Sequence, residues 1–90
     1  MRLIWEPAAR ADRKEIYAYI RRDNPRAAIK LDKLFVEKAT YLLQYPQMGR
    51  PGRLPGTREQ VVRSNYILVY KLTQDTVCIR RVLHTARHWP

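Results

Sequence analysis

The chain has 90 residues, which suits one small domain spanning 1–90 and leaves no room for a second. With 46% hydrophobic and 29% charged residues it is composed like a folded globular protein, which argues against wholesale disorder. Its 18 Lys and Arg against 8 Asp and Glu give a net charge of +10, which favours polyanionic partners: nucleic acid, the ribosome, a membrane surface or an acidic protein.

Residues 3–5 read as a short strand. Pro7 follows, suited to a first helical turn because it lacks the N–H that such a turn leaves unused. Ala8, Ala11, Ile16, Tyr19 and Ile20 then recur at roughly helical spacing, with Arg10, Arg13, Lys14, Arg21 and Arg22 falling largely between them. Asn24-Pro25 is a boundary, an N-cap followed by a first-turn proline. The spacing of Ala28, Leu31, Leu34, Phe35, Leu42 and Leu43 predicts a second helix to about Gln44, ended by Tyr45-Pro46. The turn between the helices is short, so they form an antiparallel hairpin.

Residues 48–57 hold Gly49, Pro51, Gly52, Pro55 and Gly56 with Arg50 and Arg53, and read as a basic loop. Three strand-like runs follow at 60–63, 66–72 and 77–83, separated by turns at 64–65 and 73–76. Short connections make these an antiparallel meander, and one of its faces must cover the helical hairpin's apolar stripe. The expected class is therefore α+β, an N-terminal helical hairpin packed on a small antiparallel β-sheet.

The single cysteine, Cys78, closes no internal disulfide, so nothing requires an oxidising compartment. The first seven residues lack the apolar core of a signal peptide, and no run approaches the ~20 apolar residues that span a bilayer. The expectation is a cytoplasmic protein with no membrane partner.

Up to Tyr45 the chain carries ten basic residues against six acids, and those charges suit solvated helix faces. Beyond it, eight basic residues (Arg50, Arg53, Arg58, Arg63, Lys71, Arg80, Arg81, Arg87) face only Glu59 and Asp75. A sheet gathers such residues from separate strands. Strict alternation puts Arg80 with Cys78, Val82 and His84, and Arg81 with Val77, Ile79 and Leu83, unless a bulge intervenes. RNA cleavage needs a 2′-hydroxyl aligned on the phosphate, an acid, a base and positive charge on the transition state. Arginines with His84 supply those roles without a metal, and Glu59 or Tyr70 are further proton carriers. The spacing of Cys, His and acids shows no metal-ligand motif, and no cofactor motif is present.

Several segments resemble a known family. Trp5-Glu6-Pro7-Ala8-Ala9, Asp12, Ile16, Tyr19-Ile20, Asn24-Pro25 and Ala27-Ala28 look like the N-terminal half of RelE/ParE toxins, as does Pro46 with Gly49-Arg50. Gly56-Thr57-Arg58-Glu59, Tyr66-Ile67-Leu68-Val69-Tyr70 and Arg81-Val82-Leu83-His84 resemble that family's sheet. The resemblance implies the growth-inhibiting half of a type II toxin–antitoxin pair, with an acidic, partly disordered antitoxin as partner. It also implies one of two targets. RelE-like members cut messenger RNA on the ribosome; ParE-like members poison DNA gyrase and are not nucleases.

Arg63 matches a phosphate-contacting arginine of the RelE-like nucleases, and His84 lies near a histidine used by related ones. A tyrosine that RelE uses near its C-terminus has no match; the tail offers His88 and Trp89. The large positive excess tilts the expectation to a metal-independent messenger RNA endoribonuclease. In that reading Arg63, Arg81 and His84 are catalytic and Arg50, Arg53, Arg58 and Arg87 bind nucleic acid. The alternative is a gyrase inhibitor with no nuclease activity.

Overall fold

Two prolines start the two helices. In the computed structural model, which describes residues 1–86, strand β1 (Arg2–Trp5) leads directly into helix α1 (Pro7–Arg21), and helix α2 (Pro25–Tyr41) follows a three-residue turn. Asn24 caps α2 by accepting a bond from the Ala27 N–H at 3.1 Å. Glu6 stands at the corresponding position of α1 but caps nothing with its side chain. Its carboxylate instead accepts from Arg80 Nε at 2.7 Å and from the Cys78 thiol at 3.3 Å, tying the helix start to the sheet.

The sheet comprises β1, β2 (Arg50–Pro51), β3 (Arg58–Val62), β4 (Tyr66–Leu72) and β5 (Thr76–His84), in the order β1-β5-β4-β3-β2. The last four strands are antiparallel neighbours, as their short turns dictate. Strand β1 completes the sheet by running parallel to β5, with Arg2 opposite Thr76 and Trp5 opposite Ile79. The two-residue β2 lies inside the stretch read from sequence as loop. Gly and Pro density hid it, because only two residues of that stretch pair.

One face of the sheet meets the helices. Phe35, Leu31 and Ala39 of α2 and Ala9 of α1 pack on Val62, Tyr66, Leu68, Tyr70, Val77, Ile79 and Val82. Phe35 sets its edge against Tyr66 at 5.4 Å. The inward set of α1 differs from the periodic one read above. Ala9, Ile16 and Ile20 face the core, whereas Ala8 and Ala11 are exposed and Tyr19 is 72% exposed. Ile67, Val69 and Leu83 make a smaller buried cluster from the alternate positions of β4 and β5.

The register of β5 carries a bulge. Val69 pairs with Arg81 but Tyr70 pairs with Ile79, so Arg80 has no partner across the strand. Side-chain direction changes phase there. Val77 and Ile79 before it and Val82 after it all reach the same core, which strict alternation forbids.

Tyr70 anchors the loop beyond α2. Its ring is fully buried, its hydroxyl donates to the Pro46 carbonyl at 2.7 Å, and it accepts from the Gly49 N–H at 2.9 Å. A Cβ at Gly49 would meet that hydroxyl at 2.6 Å, so only glycine lets the loop come this close. Tyr70→Phe should leave two polar backbone groups unpartnered. The expected loss is about 1–3 kcal/mol of stability, read as a lower midpoint in urea unfolding.

Candidate functional site

Antiparallel pairing of β2 with β3 places Arg50 opposite Glu59 and Pro51 opposite Arg58. The Glu59 carboxylate is 3% exposed and accepts from Arg50 Nη2 at 3.3 Å and from the Arg53 backbone N–H at 3.1 Å, with Arg53 Nε at 3.9 Å. Arg58 donates to the Gly49 carbonyl at 2.9 Å. Three of the residues assigned to nucleic acid from sequence are thus gathered at one place, and all three brace the loop that carries them. Arg87 lies outside the described residues. Glu59 is a buried structural anion rather than a proton carrier, since its oxygens are engaged. Tyr70 is likewise engaged, and burial pushes its phenol above the ordinary range.

Arg81 follows the bulge and reaches α1. Asp12 accepts from Arg81 Nε at 2.8 Å, from its Nη2 at 3.1 Å and from the Val82 N–H at 2.9 Å. This two-pronged bond to Asp12 holds the Arg81 guanidinium still more firmly protonated. One carboxylate therefore satisfies a cation and a backbone donor beside the bulge. Sequence reading singled out Asp12 only within the family-like segment. A sharper signal was available, because Asp12 stands at i+3 from Ala9 and i−4 from Ile16, an acid within the core-facing stripe.

Arg63 is elsewhere. It is exposed in the turn between β3 and β4, at φ +56°, the one non-glycine residue among those described with positive φ. It borders a shallow hollow with Lys30, Lys33, Leu34 and Glu37 of α2. His84 ends β5, opposite Tyr66, with its ring edge-on to that ring at 5.0 Å. Its Nδ1 accepts from the Ala86 N–H at 3.0 Å, which in the neutral ring makes Nε2 the donor nitrogen. It lines an open groove of about 470 Å³ with Glu15, Ile16, Tyr19, Tyr66 and Ala86. Arg81 borders a third hollow, about 360 Å³, with Glu6, Leu54, Thr57 and Arg80.

Among the described residues Arg63, Arg81 and His84 border different hollows, and His84 also borders a smaller one with Asp12, Glu15, Ile16 and Val82. Apolar area dominates the His84 groove through Ile16 and the tyrosines, a surface suited to a protein side chain. A structural bond between Arg81 and Asp12 has a measurable signature. Asp12→Ala and Arg81→Ala should each cost about 1–3 kcal/mol, and the double variant should cost clearly less than their sum. Additive losses in urea unfolding would show that the two side chains do not support each other.

Comparison with known proteins places this architecture. Residues 3–89 match the family described as the ParE toxin of the type II toxin–antitoxin system parDE. The chain is 38% identical over 90 residues to Y4kP of Sinorhizobium fredii, a protein named for an inferred toxin role, covering 99% of this chain and 93% of that one. It is 33% identical over 85 residues to Toxin RelE2 of Caulobacter vibrioides, covering 94% and 96%. Among solved structures it resembles the chromosomal ParDE system of P. aeruginosa at a TM-score of 0.84 and 25% identity, over 93% of this chain and 95% of that one. Two structures of E. coli YafQ, one of them a point variant, share the fold at TM-scores of 0.61 and 0.54, with 19% and 23% identity; each match covers 93% of this chain and 92% of the other. A helical hairpin on this sheet, matched nearly end to end, identifies the chain as a member of the RelE/ParE toxin family, the toxin half of a type II toxin–antitoxin system.

Proposed function

We propose that this toxin inhibits growth by binding DNA gyrase and not by cutting messenger RNA. The observation behind this reading is the dispersal of Arg63, Arg81 and His84 over three hollows, with Arg81 already bound to Asp12. Phosphodiester cleavage by general acid–base catalysis needs its groups within hydrogen-bond reach of one reacting centre. A toxin that works by contact has no such requirement. It needs apolar and cationic surface with anchoring aromatic side chains, and exposed Tyr19, Tyr41 and Tyr45 offer such anchors.

The ParE family match supports the same target, because the ParE-like branch is the one the resemblance links to gyrase. As in any such pair, the cognate antitoxin silences the toxin by binding it, and the charge of +10 suits an acidic one. The messenger RNA reading has one observation in its favour: His84 and Glu15 share the groove of about 470 Å³, beside a relative named for RelE.

Purified gyrase decides between them. The full chain should block supercoiling of relaxed plasmid and trap cleaved DNA, while messages in a cell-free translation reaction stay intact. Undisturbed supercoiling together with messages cut at codon positions would reject the gyrase reading.

A further inference from the structure

Ion pairing divides the cations into two groups. The acids of the first half leave their own helices to serve the sheet: Glu6 binds Arg80 and Asp12 binds Arg81, while Asp32 binds Arg13. Glu59 holds Arg50 and Arg53. Arg2, Arg58, Arg63 and Lys71 on the sheet side have no ion pair with a described carboxylate, and the larger set of such cations is on the helical hairpin. None of Arg10, Lys14, Arg21, Arg26, Lys30 and Lys33 forms an ion pair with a described carboxylate, and all six are exposed.

They also form a track. Arg10, Lys14 and Arg21 follow one another at steps of four and seven along α1. Arg26, Lys30 and Lys33 follow at steps of four and three along α2. Each set is therefore a stripe on one side of its helix. The α2 stripe lies opposite Ala28, Leu31 and Phe35, which face the sheet. Arg10 and Lys14 of the α1 stripe are on the flank next to α2, where they border a hollow with Arg13, Tyr17 and Asp32. Both stripes are exposed, and Lys30 and Lys33 border a hollow with Glu37 and with Arg63 of the β3–β4 turn. From Arg10 to Arg21 the track runs ~16 Å at 1.5 Å per residue.

We propose that the outer face of the helical hairpin is a docking surface for the phosphate backbone of duplex DNA. A run of cations with no carboxylate partner is suited to a continuous polyanion, whose condensed counterions are released on contact. Backbone contacts of this kind carry no sequence preference. The choice of DNA over other polyanions rests on the gyrase reading, since gyrase holds a duplex and a toxin bound to it works beside that duplex. The surface is distinct from the grooves that hold Arg81 and His84, so it can act while those surfaces contact protein.

The test contains no gyrase, so its outcome is separable from that reading. Binding of the full chain to a labelled duplex of arbitrary sequence is followed by fluorescence anisotropy across a salt series. The double variant Lys14→Glu, Lys30→Glu is compared with Arg2→Glu, Lys71→Glu, which alters the net charge equally on the sheet side. The first should weaken binding at least tenfold at 0.1 M salt and flatten the slope of log affinity against log salt by about 2 units, at ~0.9 per phosphate. The second should weaken it less than threefold. Equal losses would overturn the proposal in favour of net charge alone. Tenfold tighter binding of duplex RNA of the same sequence would overturn the assignment to DNA, and stronger competition by polyglutamate than by DNA would point to an acidic protein. Acetylation footprinting of the unaltered chain needs no variant to fold. Bound DNA should shield Lys14, Lys30 and Lys33 and leave Lys71 reactive; uniform reactivity would overturn the proposal.

Discussion

The carboxylate of Asp12 fixes where the helical hairpin sits on the sheet. It bridges α1 to β5 through two bonds from Arg81 and one from the Val82 N–H. Charge-assisted bonds of this geometry are about twice as strong as neutral ones. Strand β1 stops pairing opposite Ile79, and beyond that point Asp12 supplies the partner for the Val82 donor. The bulge at Arg80 returns Val82 to the core shared with Val77 and Ile79. Without the bulge, either Val82 or Ile79 would leave that core. The hydrophobic packing therefore requires this irregularity, and the polar bridge follows directly beyond it in the same strand.

A second link strengthens the arrangement at the other side of α1. Arg13 binds Asp32 with two bonds, at 3.0 and 2.8 Å, and lies over the Trp5 ring at 4.5 Å. One guanidinium thereby joins β1, α1 and α2 through an ion pair and a cation–π contact. Such links matter in a chain of this size, which buries a smaller share of its surface than a larger domain and keeps a thin margin of stability.

Both links use arginine, and so does the brace around Glu59. The basic character of the chain consequently divides in two. Arginines that reach carboxylates hold the fold, and their charge is locally cancelled. Cations on the outer face of the hairpin have no such partner and set the field that an approaching molecule meets. Net charge alone merges the two populations. It is the pairing that assigns Arg13, Arg50, Arg53, Arg80 and Arg81 to architecture and leaves the unpaired cations of the hairpin to association.

The sequence by itself determined the element order, the two helix starts at Pro7 and Pro25, the antiparallel meander and the family. Those features are local: a proline at a first turn, an Asn cap, periodic apolar residues and short turns act within a few residues of themselves. Individual motifs such as Trp5-Glu6-Pro7 or Val82-Leu83-His84 also survive as strings, so the resemblance was legible. Tertiary structure decided the rest. Strand β1 pairs with β5 across more than seventy residues, and nothing near Leu3 announces a parallel partner. The one-residue bulge at Arg80 changes the face of every following side chain, and periodicity cannot locate it. Glu59, Tyr70 and Arg81 looked like chemistry because their residue types suit it. Only the folded chain showed their polar atoms already engaged, since a side chain's partners depend on distance in space and not on position in the chain.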